Sequence, residues 1–165
     1  MQAHRPGDPR KRVELLSKAL NELADPPIKV MEVCGTHTVS IFRQGLRTLL
    51  PAKISLVSGP GCPVCVTSQG EIDAALSLAG REDTTIATYG DMLRVPGTET
   101  TLAEERSRGA DVRVVTSADE ALSLAMNDRT RSVVFLAVGF ETTAPATASV
   151  VLDAWREGLD NFMVL

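Results

Sequence analysis

Short apolar runs recur along the chain and alternate with longer segments of helical periodicity. Each run has four to six residues, and most are rich in Val and Ile, as expected for strands that are buried on both faces of a sheet. The pattern predicts β-strands over residues 28–33, 53–57, 85–89, 112–115, 133–138 and 161–165.

The segments between these runs carry helix signals. Apolar stripes at helical spacing comprise Leu16, Leu20 and Leu23, and further along Phe42, Leu46, Leu49 and Leu50. Capping boxes, in which Glu follows Ser or Thr by three residues, predict helix starts at Ser68, Thr101 and Ser117. Pro145 is typical of the first turn of another helix, and Gly158 is typical of its end.

Strands and helices alternating at this spacing indicate right-handed βαβ units. We therefore predict an α/β fold, a Rossmann-like parallel sheet with flanking helices. A polar break at residues 127–129 predicts that a first domain, which carries all three cysteines, covers residues 1–128 and that a second, similar domain begins within residues 129–165. The sequence ends at Leu165 inside an apolar run, so we expect the second domain to be truncated and the chain to be part of a longer protein.

Composition and charge narrow the function classes. Hydrophobic residues make up 44% of the chain and aromatic residues only 4%, so the core should consist of aliphatic side chains. Apart from a short basic cluster near the start, the 17 basic and 21 acidic residues are dispersed, which gives no reason to expect nucleic acid or a membrane as a partner. No apolar run approaches the roughly 18 residues of a membrane-spanning helix. Three cysteines, an odd number, predict a cytoplasmic protein rather than a secreted disulfide framework.

Unusual polar and turn-forming residues follow four of the predicted strands directly. The segments are C-G-T-H-T at 34–38, S-G-P-G-C-P-V-C at 58–65, G-D-M-L-R-V-P-G at 90–97 and G-F-E-T-T-A-P at 139–145. Open parallel sheets bind their ligands at the carboxyl ends of the strands. All four segments are therefore predicted to face one cleft.

The second segment holds Cys62 and Cys65 in a C-x-x-C arrangement that two glycines and two prolines should make rigid. It precedes the predicted helix start at Ser68, and a thiol near a helix N-terminus has a lowered pKa, which favours the reactive thiolate. One interpretation is a redox-active dithiol or a metal site. The other is a tight turn in which both cysteines only fill space.

Further candidates follow the other strands. Cys34 could be a buried structural cysteine or a metal ligand. His37 could be a metal ligand, a base that removes the proton from Cys34, or a polar group at a helix start, and these roles stay open. Asp91, Arg94 and Glu141 could form the polar rim of the cleft or be solvated loop charges.

Several kinds of site are compatible with cysteines in this order. Cys34 could hold low-valent iron, which prefers thiolate ligands, while the C-x-x-C pair cycles between dithiol and disulfide. Cys34, His37 and the pair could instead form a structural Cys₃His zinc site in an interaction module. A thioredoxin-like oxidoreductase fits poorly because of the additional Cys34. Nothing supports a phosphate-binding loop, because G-K-S/T is absent and G-P-G-C-P-V lacks a third glycine.

The four segments together resemble the HypD family of NiFe-hydrogenase maturation factors. M-E-V-C-G-T-H-T, G-P-G-C-P-V-C-V-T, G-D-M-L-R-V-P-G and G-F-E-T-T-A-P occur in the order and at the spacing of that family, over a region from about Val13 to Leu165. Four long motifs in sequence are far more specific than a lone C-x-x-C.

The resemblance implies a cytoplasmic scaffold on which the Fe(CN)2CO group is assembled, rather than a conventional turnover enzyme. It implies that Cys34 holds the iron together with a cysteine of a HypC-type chaperone, and that Cys62 and Cys65 form a redox-active dithiol beside it. HypE, acting with HypF, is implied as the cyanide donor. The positions expected to surround the iron group are Gly35, Thr36, Asp91, Arg94 and Glu141, with His37 as a catalytic candidate.

The family fold comprises two Rossmann-like domains that face one cleft and a C-terminal portion with a 4Fe-4S cluster. The three cysteines of this chain are all assigned to the cleft, so they cannot also ligate such a cluster. A complementary C-terminal half is therefore a further candidate partner.

Overall fold

The computed structural model describes residues 8–23 and 26–165, without the side chain of Leu23. The predicted place of that side chain in the first apolar stripe therefore lies outside the described part of the chain. The chain divides into two compact units, Met1–Cys65 and Val66–Leu165. Among the described residues, no helix is both long enough and apolar enough to cross a membrane.

The first unit contains a two-stranded parallel sheet. Its elements are α1 (Pro9–Leu23), β1 (Ile28–Glu32), α2 (Gly35–Arg43), α3 (Leu46–Leu49) and β2 (Ile54–Ser58), and α4 (Pro63–Val66) follows across the boundary between the units. Ile28 lies opposite Ile54 in the parallel pair, and Glu32 lies opposite Ser58. The two strands therefore end level with each other, and the segments that follow them start side by side.

The apolar side chains of the first unit are largely exposed. Val30 and Met31 of β1 are 44% and 58% exposed, and Phe42 of α2 is 83% exposed. The prediction that every apolar run is buried on both faces is wrong for β1, and it is also wrong for the last strand of the chain, where Met163 and Val164 are exposed. In a sheet of two strands each strand has a neighbour on one edge only, so less of its surface is covered than in a larger sheet.

The second unit contains a four-stranded parallel sheet. Its helices and strands are α5 (Gln69–Ala79), β3 (Thr84–Thr88), α6 (Leu102–Ser107), β4 (Asp111–Val114), α7 (Ala118–Asn127), β5 (Ser132–Leu136), α8 (Ala144–Arg156) and β6 (Phe162–Val164), with 3₁₀ helices at Gly90–Arg94 and Glu141–Thr143. The strand order is β4-β3-β5-β6. Each predicted strand is present to within two residues at each end, and the predicted Rossmann-like α/β fold is confirmed.

The core of the second unit is built mainly from aliphatic side chains, as predicted. All five residues of β3 are buried, and Ile86 and Phe135 are among its largest fully buried side chains. The ring of Phe135 meets that of Tyr89 edge to face, with centroids 5.6 Å apart. Of the described residues, every buried hydrophobic side chain belongs to this unit.

Helix ends follow the predicted signals with one exception. Ser68 and Thr101 form complete capping boxes with the glutamates three residues later. Ser117 accepts a hydrogen bond from the Glu120 N–H, but the Glu120 carboxylate turns to the N–H of Thr116 instead, at 2.8 Å. Pro145 lies in the first turn of α8, and Gly158 follows that helix with φ +61°.

The predicted domain boundary at residue 128 differs from the observed division of the chain. β5 follows that position and pairs with β3 over its full length, with Thr84 opposite Ser132. The polar residues there form the loop between α7 and β5, inside one parallel sheet. The three cysteines all belong to the first unit, which ends much earlier than predicted.

Candidate metal centre

The sulfur atoms of all three cysteines lie within 4.8 Å of one another. Cys65 Sγ is 3.1 Å from Cys62 Sγ and 3.8 Å from Cys34 Sγ. All three thiols are free; Cys65 is exposed, and the other two are half-buried. The prediction that sulfurs from two distant segments meet beyond the carboxyl ends of parallel strands is confirmed.

The pairing of β1 with β2 brings the sulfurs together. Cys34 follows β1 as the residue that precedes α2, and Cys62 and Cys65 follow β2 around the start of α4. The backbone between β2 and Cys62 passes very close to β1, because the Gly59 N–H donates to the Glu32 carbonyl at 2.7 Å. A Cβ on Gly59 would lie 2.5 Å from that oxygen, so only glycine fits there.

Gly61, the second glycine of G-P-G, is required for its backbone conformation. Gly61 has φ +94°, in the left-handed region that side chains disfavour. The turn that carries Cys62 towards Cys65 therefore depends on both glycines, one for close approach and one for its backbone conformation.

Cys65 and Cys62 differ in acidity. Hydrogen bonds from the Cys62 thiol, the Cys34 thiol and the Thr36 N–H, with a smaller contribution from the Gly35 N–H, lower the pKa of Cys65 to about 7. Its hydrogen bond with Cys65 raises the pKa of Cys62 above the usual thiol value. As the pH rises, Cys65 therefore loses its proton first and becomes the thiolate, while Cys62 keeps its proton.

The cause of this shift differs from the predicted one. We expected the helix that starts near Ser68 to lower the thiol pKa. The backbone N–H groups that lower the pKa of Cys65 instead belong to Gly35 and Thr36, in the first turn of α2. Helix α2 follows β1, whereas Cys65 follows β2, so these N–H donors come from the segment after the neighbouring strand.

His37 is not part of the sulfur group. It lies exposed in the first turn of α2, and the group of potential ligands found among the described residues comprises the three cysteines alone. The Cys₃His zinc set is therefore not assembled in this structure. Three sulfur donors favour a soft or borderline metal ion and leave a position of a four-coordinate ion open to a ligand from outside.

Sequence reasoning missed Glu32 and its partner Thr38. The Thr38 hydroxyl donates to Glu32 Oε1 at 2.7 Å, and the Thr38 N–H donates to the Cys34 carbonyl at 3.1 Å. Glu32 Oε2 is buried without a hydrogen-bond partner among the described residues. The signal was a carboxylate inside a predicted strand, two residues before Cys34.

The charged candidates lie in the second unit. Asp91 and Arg94 belong to the 3₁₀ helix after β3, and Glu141 begins the one after β5. β3 and β5 are parallel neighbours in the middle of the sheet. The chain continues from β3 outward to β4 and from β5 outward to β6 on the other side, which makes the carboxyl ends of β3 and β5 a topological switch point. That position is typical of ligand sites, and a binding role for these three residues stays a prediction.

Comparison with known proteins agrees with the motifs. The family model for HypD, described as the "Hydrogenase formation hypA family", matches residues 11–165. The chain is 45% identical over 149 residues to hydrogenase maturation factor HypD of Rhodobacter capsulatus, covering 90% of this chain. It is 46% identical over 143 residues to that of Escherichia coli K12 and 51% identical over 144 residues to that of Azotobacter vinelandii, covering 87% and 86% of this chain.

These matches cover 40%, 38% and 38% of the three relatives, so the chain spans about two fifths of their length. The matched region contains the three cysteines and all four motifs. The family match over nearly the whole sequence therefore places this chain in the HypD family.

Proposed function

We propose that this chain provides the iron-holding part of a cytoplasmic HypD-type scaffold, on which the Fe(CN)2CO group of a NiFe-hydrogenase is assembled. The observation that carries the proposal is the meeting of three sulfurs within 4.8 Å, at least one of them exposed to solvent. Relatives of this chain are named hydrogenase maturation factors, which supplies the biological context. The iron group is cargo that leaves the scaffold.

In this proposal Cys34 is the residue that holds the iron. Its sulfur lies at the start of α2 beside the Cys65 sulfur, and its carbonyl is fixed by the Thr38 N–H. Soft, low-valent iron with cyanide and carbon monoxide ligands favours thiolate sulfur. A cysteine of a HypC-type chaperone would approach from the solvent side and complete the coordination.

Cys62 and Cys65 act as the dithiol of the proposed site. Their sulfurs are 3.1 Å apart, close enough for a disulfide after a small rotation of the side chains. Closing that bond releases two electrons and two protons, which makes the pair a two-electron donor beside the iron. The backbone N–H groups of Gly35 and Thr36 stabilise the Cys65 thiolate.

Other components act on this site from outside the chain. HypE, with HypF, delivers the cyanide ligands, and Asp91, Arg94 and Glu141 form a polar rim for the group or for a partner. The family's 4Fe-4S cluster does not fit these residues, because the three cysteines of the chain all lie in the sulfur group. A complementary C-terminal polypeptide would supply that cluster.

Anaerobic copurification with a HypC-type chaperone tests the proposal. The complex should contain iron and show infrared bands of bound cyanide and carbon monoxide. Cys34→Ala should abolish iron retention, whereas Cys62→Ala should leave the fold intact and stop maturation. Retention of the iron group by Cys34→Ala would show that the ligand assignment is wrong, and stoichiometric zinc bound without a partner would favour a structural zinc module.

A further inference from the structure

Cys65 lies between two candidate disulfide partners. Its sulfur is 3.1 Å from that of Cys62 and 3.8 Å from that of Cys34. We propose that Cys65 pairs with Cys62 in one oxidised state and with Cys34 in another, so that a Cys34–Cys65 disulfide is a second modification state of this site. The effect of this disulfide on iron binding rests on the proposed function, whereas the formation of the disulfide can be tested without it.

The backbone around Cys34 brings it close to Cys65. An ideal Cβ on Gly35 would lie 3.8 Å from the Cys65 Cβ and 3.9 Å from its sulfur, so the residue next to Cys34 lies close to Cys65. Cys34 precedes α2 in an extended conformation, and its side chain does not cap the helix. A disulfide requires a sulfur separation of about 2.05 Å, which rotation of the two exposed or half-buried side chains can supply.

The two states interconvert without a net redox change. A disulfide oxidant such as oxidised glutathione first accepts two electrons and two protons from Cys62 and Cys65, giving two glutathione thiols and the Cys62–Cys65 bond. The Cys34 thiolate then attacks the Cys65 sulfur, the Cys34–Cys65 bond forms, and the Cys62–Cys65 bond breaks. The electron pair leaves on the Cys62 sulfur, which takes up the proton that Cys34 released.

The second state would exclude iron from its proposed ligand. A sulfur held in a disulfide is no longer a thiolate, so Cys34 cannot bind iron and pair with Cys65 at the same time. Iron loading and the Cys34–Cys65 disulfide are therefore mutually exclusive. The C-x-x-C pair would then control whether the iron ligand is available.

Peptide mapping distinguishes the two disulfides directly. Trypsin cleaves after Lys29, Arg43, Lys53 and Arg81, which leaves Cys34 in peptide 30–43 and both other cysteines in peptide 54–81. A Cys62–Cys65 disulfide stays inside one peptide, whereas a Cys34–Cys65 disulfide joins two. The iron-free chain is equilibrated anaerobically in a glutathione redox buffer, quenched with acid, alkylated, digested and analysed by mass spectrometry.

The wild-type chain should give both products, and fragment ions should assign the link between peptides to Cys65. Cys62→Ser should give the joined peptides as its disulfide product, and the matched variant Cys65→Ser should lose most of them. Absence of joined peptides from both the wild type and Cys62→Ser would overturn the inference. So would a yield from Cys65→Ser equal to that from Cys62→Ser.

Iron separates this inference from the proposed function. Loading the reduced chain with ferrous iron before oxidation should suppress the joined peptides and leave the internal disulfide of peptide 54–81. If the joined peptides form without iron but iron fails to suppress them, the disulfide assignment stands and Cys34 is not the iron ligand. If they never form, the inference is wrong while the iron site can still be tested by metal content.

Discussion

Cys65 is the most acidic thiol of the pair that it forms with Cys62, because hydrogen bonds lower its pKa to about 7 and raise that of Cys62. Below pH 7 we expect Cys65 to be protonated and slow to react, and above pH 7 to be a thiolate. Iodoacetamide should therefore label Cys65 before Cys62 at pH 7, with the Cys65 rate half-maximal near that pH. Mass spectrometry of the labelled peptide measures both rates, and equal labelling of the two cysteines would contradict this assignment.

Thr38 anchors the half-buried carboxylate of Glu32, two residues before Cys34. Its hydroxyl donates to Glu32 Oε1, and Glu32 Oε2 is already buried without a partner in the described structure. Thr38→Val should leave the other carboxylate oxygen unpaired as well, at a cost of about 1–3 kcal/mol in the free energy of unfolding. Thr36→Val, at an exposed position of the same helical turn, is the matched control.

Urea unfolding followed by circular dichroism measures both variants. A loss for Thr38→Val no greater than that for Thr36→Val would mean that the Glu32 contact does not stabilise the start of α2.

The meeting of the three sulfurs could be predicted from the sequence, but the difference in acidity between Cys62 and Cys65 could not. Cys34, Cys62 and Cys65 stand in motifs that follow strand signals, so parallel pairing alone brings them together. The lowered pKa of Cys65 depends on hydrogen bonds from the Cys62 and Cys34 thiols and, to a smaller extent, on the N–H groups of Thr36 and Gly35, about thirty residues earlier in the chain. The sequence around the C-x-x-C motif does not show which of the two sulfurs receives these hydrogen bonds.

The strands and helix caps were predictable because their signals are local. Two of the three capping boxes are complete, and the third fails only because Glu120 finds another donor at Thr116. Burial was less predictable, because the charged Lys29 and Glu32 of the β1 run show that part of the strand meets solvent but do not show that its apolar residues are exposed as well. Whether a strand is covered depends on how many strands and helices surround it, as the exposed Val30 shows.

Asn161 ties the segment before β6 to α7 and to the loop between α7 and β5. Its side-chain N–H₂ group donates to the carbonyls of Ala125, Asp128 and Arg131 at 2.9–3.1 Å, and the residue is only 7% exposed. Asn161→Ala should leave these acceptors without that donor and lower the free energy of unfolding by about 1–3 kcal/mol. Asn161→Asp should be worse, because a carboxylate would face carbonyl oxygens.

Asn127→Ala is the matched control, because Asn127 is exposed at the end of α7. Urea denaturation should show it to be near neutral. Equal stability of Asn161→Ala and Asn127→Ala would contradict a structural role for the Asn161 amide. The loop around residue 128 would then have to be held in place by contacts other than those of the Asn161 amide.

The sulfur group and the hydrophobic core belong to different units. The described buried hydrophobic side chains all lie in Val66–Leu165, whereas the cysteines lie in Met1–Cys65. The sequence did not reveal this division, because both units contain strand and helix signals of the same kind. The observed boundary between Cys65 and Val66 lies in the apolar stretch of α4, whereas the polar break at residues 127–129 lies in a loop within one sheet, so polarity pointed to the wrong position.

Hydrogen exchange should follow this division of the chain. Amides of β3 and β5, in the buried sheet, should exchange slowest, and amides of β1 should exchange faster because local opening there exposes little buried surface. Mass spectrometry of peptides from each strand measures the protection. Equal protection of β1 and β3 in the isolated chain would mean that the first unit has stabilising contacts comparable to those of the second.

The proposal that Cys34 holds iron can be tested most directly by X-ray absorption at the iron edge. The sample is the anaerobic complex of this chain with a HypC-type chaperone, prepared from the wild type and from Cys34→Ser. We predict sulfur neighbours at the iron of the wild type, and loss of the Cys34 sulfur together with most of the iron in the variant. Iron of unchanged content with the same number of sulfur neighbours in Cys34→Ser would contradict the assignment.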